Sequence, residues 1–241
     1  MPEAALVTGA ASGIGRAVAE RLVADGWDVL AVDVAPDADG PGEAFSADLS
    51  TRAGNRAAVD AALGRFGRLD ALVPNAGFQH VSPLESFDED QWDALVALLL
   101  TSPFLLARYA WPALRESGNG RIVVVASVHG LVASPFKAAK HGVLGLVKAL
   151  ALEGADAGIR ASAVCPGYVR TTLVEQQIAD QARAHGLPED RVVEDVLLAP
   201  QAIKRMLEPS EVADTVAYLL GPGGALFTGA PLVVDGGWTA R

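Results

Sequence analysis

Residues 4 to 15 read Ala4-Ala5-Leu6-Val7-Thr8-Gly9-Ala10-Ala11-Ser12-Gly13-Ile14-Gly15, and this stretch decides the fold. Ala4 to Val7 is a short apolar run suited to a buried strand, and Gly13 to Ala24 has helical period. The glycines allow a tight turn and a close approach of backbone to a bound group. The helix start offers oriented N–H groups and a partial positive charge. Strand, glycine turn and helix in that order make a cradle for a pyrophosphate. A second apolar run, Asp28 to Val32, ends at Asp33, which completes the context that a dinucleotide fingerprint requires.

Outward from this stretch, short β-branched runs alternate with longer helical segments, a pattern that predicts parallel strands joined by crossover helices. Strands are expected at Ala4 to Val7, Asp28 to Val32, Leu69 to Pro74, Arg121 to Ala126, Arg160 to Cys165 and Pro231 to Val234, with a short one near Glu43 to Ser46. Helices are expected at Gly13 to Ala24, Arg52 to Phe66, Trp92 to Leu114, Ala138 to Glu153 and Ser210 to Leu219, the last capped by Ser210. The stretch 171–207 differs: it is polar, holds two prolines, and contains amphipathic pieces at Leu173 to Arg183 and Arg191 to Leu198. It reads as a helical lid over the strand ends. The expected architecture is α/β: a single Rossmann-type domain over residues 1–241, doubly wound, with a parallel sheet of about seven strands.

The formal net charge of -10 and pI near 4.8 argue against a nucleic-acid surface and for small-molecule chemistry. The N-terminus has no basic region before its apolar stretch, so no signal peptide is expected, and no run approaches the length of a membrane span. A single cysteine, Cys165, in the apolar run Ala161-Ser162-Ala163-Val164-Cys165, excludes an internal disulfide, suits the cytoplasm and reads as inert core.

Thr8, Gly9, Ser12, Gly13, Ile14 and Gly15 are the candidate cradle residues. Asp33 is placed to accept hydrogen bonds from the adenosine ribose hydroxyls and to repel a 2′-phosphate, which favours NAD over NADP; Arg16 is the one feature in favour of NADP. Asp48, after the third strand, is placed either to accept from the adenine amino group or to cap the following helix.

Thr8-Gly9-Ala10-Ala11-Ser12-Gly13-Ile14-Gly15, Asp33, Asp48, Asn75-Ala76-Gly77, Ser127, Lys140 and Pro166-Gly167 together resemble the short-chain dehydrogenase/reductase family across essentially the whole chain. Four runs look like the D-3-hydroxybutyrate dehydrogenases within it: Asn75 to Val81, Ser127 to Lys137, Ala138 to Gly145 and Asp235-Gly236-Gly237-Trp238-Thr239-Ala240. The resemblance implies hydride transfer between nicotinamide and a carbinol carbon. Ser127 would hydrogen-bond the substrate oxygen, and Lys140 would hold the ribose and lower a tyrosine pKa. It also implies that Asn75, Ala76 and Gly77 hold a loop against the adenosine side, with Pro74 in place of a more usual asparagine. Pro166 and Gly167 would be cofactor-binding positions, and Thr171 after them is placed to hydrogen-bond the nicotinamide carboxamide or a cofactor phosphate, or to cap a helix. Gln79, His129, Lys137 and Gln177 match positions that hold the carboxylate of a short 3-hydroxy acid, and Tyr168 takes the place of an aromatic residue beside the substrate. His80, His141 and His185 lack metal-ligand spacing and read as loop or surface positions. Assembly as a homotetramer or dimer through Trp92 to Leu114 and Ala138 to Glu153 is implied as well.

Two departures stand against this likeness. The tyrosines are Tyr109, Tyr168 and Tyr218, and none is followed four places later by lysine; Phe136 stands four before Lys140. Phe136 is also only nine residues after Ser127, shorter than the family interval by about one helical turn, ~4 residues. This reads as a deletion that removed the tyrosine. Independently, the family asparagine that anchors a relay water falls at Leu99, which neither donates nor accepts. Two expectations follow: an impaired NAD-dependent oxidoreductase for a small hydroxy acid, or a catalytically silent NAD(H)-binding protein with an assembly or sensing role.

Overall fold

Seven strands lie in one parallel sheet in the order β3-β2-β1-β4-β5-β6-β7. The computed structural model describes residues 1–80, 82–132, 138–186 and 188–240. The strands are β1 Ala4–Thr8, β2 Asp28–Asp33, β3 Glu43–Ser46, β4 Ala71–Val73, β5 Arg121–Val125, β6 Arg160–Pro166 and β7 Pro231–Val234. The helices are α1 Gly13–Ala24, α2 Arg52–Phe66, α3 Glu89–Val96, α4 Ser102–Glu116, α5 Ala138–Gly154, α6 Thr172–His185, α7 Glu189–Val192 and α8 Pro209–Leu220. β1 pairs with both β2 and β4, so the strand order reverses there and opens a crevice at the C-terminal strand ends.

Alternate residues of each central strand feed opposite faces, as period-2 geometry demands. Leu6, Leu30, Leu72, Ile122 and Val124 pack with α2, α4 and α5 residues such as Val59, Leu106 and Val147. Val7, Val29, Val73, Val123 and Val125 pack on the other side with Val18 and Leu22 of α1 and Val212, Val216 and Leu220 of α8. Both faces are covered, which is why these strands read as continuous apolar runs. Cys165 lies fully buried in the first of these cores.

The lid is an excursion whose two ends meet: Val169 and Leu207 form a parallel bridge, with the Arg170 N–H donating to the Leu207 carbonyl at 2.8 Å. Inside it Ile178, Val192, Leu197, Leu198 and Met206 form a separate apolar cluster.

Four expectations need correction. Trp92 to Leu114 is not one regular helix: α3 begins at Glu89, because the Asp88 carboxylate accepts from the Gln91 N–H at 3.0 Å and caps it, and a π-turn at Ala97–Thr101 separates it from α4. Ser210 is not the cap of α8; Glu208 holds that position, its N–H donating to the Glu211 carboxylate at 2.9 Å, and Pro209 takes the first helical position. β4 is shorter than Leu69 to Pro74, running Ala71–Val73; at its far end Pro74 has no N–H for a ladder. Finally, the helical run Glu89–Glu116 is long and apolar enough to cross a membrane by length and composition. Its Leu106, Ala107, Ala110 and Leu114 are committed to the sheet core, the usual reason a buried helix is this long and apolar.

Candidate active site

The crevice beside β1 is a cleft of about 730 Å³, walled from the phosphate cradle to the lid. Gly9, Ser12, Gly13 and Ile14 form one end with the N-terminus of α1. Two glycines there are fixed by space. A Cβ on Gly9, whose φ is +66°, would lie 2.9 Å from the Ala76 Cα; one on Gly15 would lie 2.1 Å from the Gly9 carbonyl oxygen. Bare backbone N–H groups at a helix N-terminus, with no side chain in the way, fit a pyrophosphate. Gly15 serves this fit from behind: it is buried and does not line the cleft. Thr8 is likewise 1% exposed and off the cleft wall. Its hydroxyl oxygen accepts from the Asn75 and Ala76 N–H groups, each at 2.9 Å, while the Asn75 side-chain amide donates to the Thr8 carbonyl at 2.9 Å. Thr8 thus ties the cradle to the loop Asn75-Ala76-Gly77, which does line the cleft.

The end of the cleft at β2 is acidic. Asp33 accepts from the Ala11 and Ala35 N–H groups, each at 3.2 Å, so the end of β2 is held against the glycine turn. Arg16 is engaged by Asp37 at 2.6 Å and Glu20 at 3.0 Å. Asp48 accepts from the side chain and backbone of Ser50, at 2.6 and 2.9 Å, and these bonds hold its carboxyl below the ordinary range. It is not the cap of α2; Thr51 is, accepting from Gly54 at 3.0 Å.

At the other end, Ser127, His129, Lys140, Gln79, Pro166, Gly167 and Thr171 share the cleft wall. Ser127 follows β5, and its oxygen accepts from the His129 N–H at 3.2 Å, which caps a single 3-10 turn. Thr171 caps α6 through the Val174 N–H, so its wall and capping positions coexist. Cys165 lies beneath: burial pushes its thiol up to about 11, against the opposing effects of the Ser127 N–H and the Lys140 charge. An inert core thiol is the result.

Besides Thr8 and Gly15, two further sequence-predicted residues, Tyr168 and Gln177, are not on the cleft wall. Tyr168 packs into the lid cluster and meets the His129 ring edge-on at 6.4 Å, and burial pushes its phenol up. Lys137 and Phe136 lie outside the described residues. The sequence reading missed His80, Trp92, Leu173 and Val174 on the wall, and Trp238, whose ring meets His129 edge-on at 5.5 Å. His80 sits directly after Gln79, and Trp238 stands in the terminal Gly-Gly-Trp run, so both carried a signal.

Leu99 projects from the π-turn to within 2.7 Å of where a Gly77 Cβ would stand. Below it a hollow of about 10 Å³, lined by Leu98, Leu99, Ser102, Val125 and Lys140 among others, is at the lower limit for one water.

Comparison with known proteins agrees with this geometry. A family model described as enoyl-(acyl carrier protein) reductase matches residues 9–239. The D-beta-hydroxybutyrate dehydrogenase of Rhizobium meliloti (strain 1021) is 40% identical over 258 residues, covering 100% of both chains. That of Cupriavidus necator is 38% identical over 253 residues, covering 98% of each. A variant of actinorhodin polyketide ketoreductase, solved with NADPH, superposes with a TM-score of 0.92 over 100% of this chain and 98% of that one, at 34% identity. Full-length similarity, the parallel sheet with its glycine cradle, and a serine and lysine at the far end of the same cleft have one common explanation: the chain belongs to the short-chain dehydrogenase/reductase family.

Proposed function

We propose that this chain is an NAD(H)-dependent oxidoreductase for a small hydroxy acid of the 3-hydroxybutyrate type, with its proton-transfer step impaired. The observation that carries this reading is the continuity of one cleft from the glycine cradle and Asp33 to Ser127 and Lys140. Bound at the cradle, a nicotinamide cofactor supplies the hydride acceptor or donor. Gly9, Ser12, Gly13 and Ile14 hold its phosphates, Asp33 its adenosine ribose, and Thr171 its nicotinamide end. The carboxylate of Asp33 and the engagement of Arg16 by Asp37 and Glu20 disfavour a 2′-phosphate. Ser127 hydrogen-bonds the substrate oxygen, and Gln79 and His129 face the substrate carboxylate. The two curated D-beta-hydroxybutyrate dehydrogenases support the substrate class.

A tyrosine normally titrates near ~10 and needs a cation beside it to work near neutral pH. None of the three tyrosines of the chain lines the cleft. Loss of such general acid–base assistance costs ~10²- to 10⁴-fold in rate. Leu99 favours a second reading, a catalytically silent NAD(H)-binding protein, because its apolar side chain occupies the water-anchoring position. Assembly as a homo-oligomer through α4 and α5 belongs to both readings; Phe104 and Leu152 on these helices are 41% and 82% exposed.

The test is titration with NADH followed by fluorescence, then addition of acetoacetate at enzyme concentrations near those of the cofactor. Binding followed by slow oxidation supports the impaired enzyme. Binding with no oxidation selects the silent protein, and absence of binding overturns both.

A further inference from the structure

We infer that Asn55 is a positioning residue for the adenosine half of the cofactor, acting through a buried junction that ties the loop bearing Asp48 to α4. This inference rests on the proposed cofactor reading. Asn55 is 0% exposed, one turn into α2, and does not itself line the cleft. Its side-chain amide nitrogen donates to the Leu49 and Thr51 carbonyls, each at 2.7 Å, and its oxygen accepts from the Ser102 hydroxyl at 2.7 Å. Both amide donors and the oxygen are therefore used. Ser102, 2% exposed, is the first residue of α4 after the π-turn that carries Leu99.

The junction joins two segments far apart in sequence. Ala47, Asp48, Leu49 and Ser50 form the proposed adenosine wall of the cleft, and the Leu49 carbonyl is a point at which that loop is held from behind by another element. A fully buried amide is costly unless every polar group has a partner, so the three bonds hold one arrangement. Ser102 fixes the third corner from another helix. Disturbing Ser102 reaches the adenosine wall through Asn55.

The experiment uses the full chain and three variants, Asn55→Leu, Ser102→Ala and the two combined, with ADP-ribose and NADH as probes. Thermal unfolding is followed alongside. Each single change is expected to weaken ADP-ribose about five- to tenfold and to lower Tm, since each leaves a buried polar partner unpaired. In the combined variant neither side chain leaves the other unpaired, so Tm recovers part of its loss relative to Asn55→Leu. ADP-ribose affinity stays low because the Leu49 carbonyl is still unheld. Recovery of affinity together with Tm would mean that Asn55 is merely structural, and unchanged affinity in all three variants would overturn the inference equally. If the unaltered chain binds neither probe, the cofactor reading itself fails and the inference with it; if it binds both, the variants judge the inference alone.

Discussion

The Lys140 ammonium donates to the Val125 carbonyl oxygen at 3.1 Å, at the end of the strand that leads into Ser127. A lysine in this place can hold a ribose hydroxyl and lower the pKa of a nearby phenol, yet no tyrosine shares the cleft wall with it. Tyr168, the nearest in chain position, is turned into the lid cluster, where burial raises its phenol away from the working range. Substituting Tyr168→Phe is therefore expected to leave any residual acetoacetate-dependent oxidation of NADH within about twofold. Single-turnover absorbance on both proteins checks this. A fall of about tenfold or more would show that the phenol reaches the reacting oxygen.

The proposed preference for NAD rests on the other end of the cleft. Replacing Asp33→Ala removes the carboxylate that accepts from Ala11 and Ala35 and lines the cleft where the proposed reading puts the ribose. NADH should bind about tenfold more weakly and NADPH more tightly, a change read from the ratio of the two Kd values by fluorescence titration. Equal affinity of the unaltered chain for NADH and NADPH would refute the role given to Asp33.

Much of this arrangement is legible in the sequence, and the reasons are local. Ala4 to Gly15 carries its strand, turn and helix signals within a dozen residues, and each glycine answers to a nearby atom. Asp33 and Ser127 stand at strand ends, so the parallel sheet brings them to the same crevice without further information. What is not legible depends on distance or on hydrogen-bond pattern. The π-turn at Ala97–Thr101 leaves the apolar period almost unchanged, so Trp92 to Leu114 reads as one helix. Thr8 looks like a ligand residue until Asn75 and Ala76, 67 and 68 positions away, are seen to use its hydroxyl. Tyr168 reads as a pocket residue only through likeness, and its direction follows from the small core of the lid rather than from the motif beside it.

Glycine positions give a paired test of stability. Gly15→Ala would place a Cβ 2.1 Å from the Gly9 carbonyl oxygen and 2.6 Å from the Asn75 amide nitrogen, both fixed atoms of the cradle. A loss of about 1–3 kcal/mol is expected, together with loss of NADH binding. Gly64→Ala, exposed in α2 with nothing within 4 Å of the added carbon, should instead stabilise by about 0.5–1 kcal/mol and leave binding untouched. Denaturant unfolding of both variants checks the pair; a stable, binding-competent Gly15→Ala protein would refute the cradle geometry.

The acid limb of stability should report on the turn after β7. Burial pushes the Asp235 carboxyl up, but hydrogen bonds from the Thr239 hydroxyl at 2.6 Å and from the Thr239 and Gly237 N–H groups at 2.8 Å outweigh it and hold the group below its ordinary value. A depressed native pKa contributes stability that is complete above the unfolded value, about 3.9, and is lost as pH falls through the native one. The same carboxylate folds back the turn that sets Trp238 against His129. Asp235→Asn should therefore lower Tm at pH 7, and the difference from the unaltered chain should shrink as the pH is taken from about 5 toward 3. Thermal melts across that range decide it. A difference that stays constant with pH would show that Asp235 acts through shape and not through its charge.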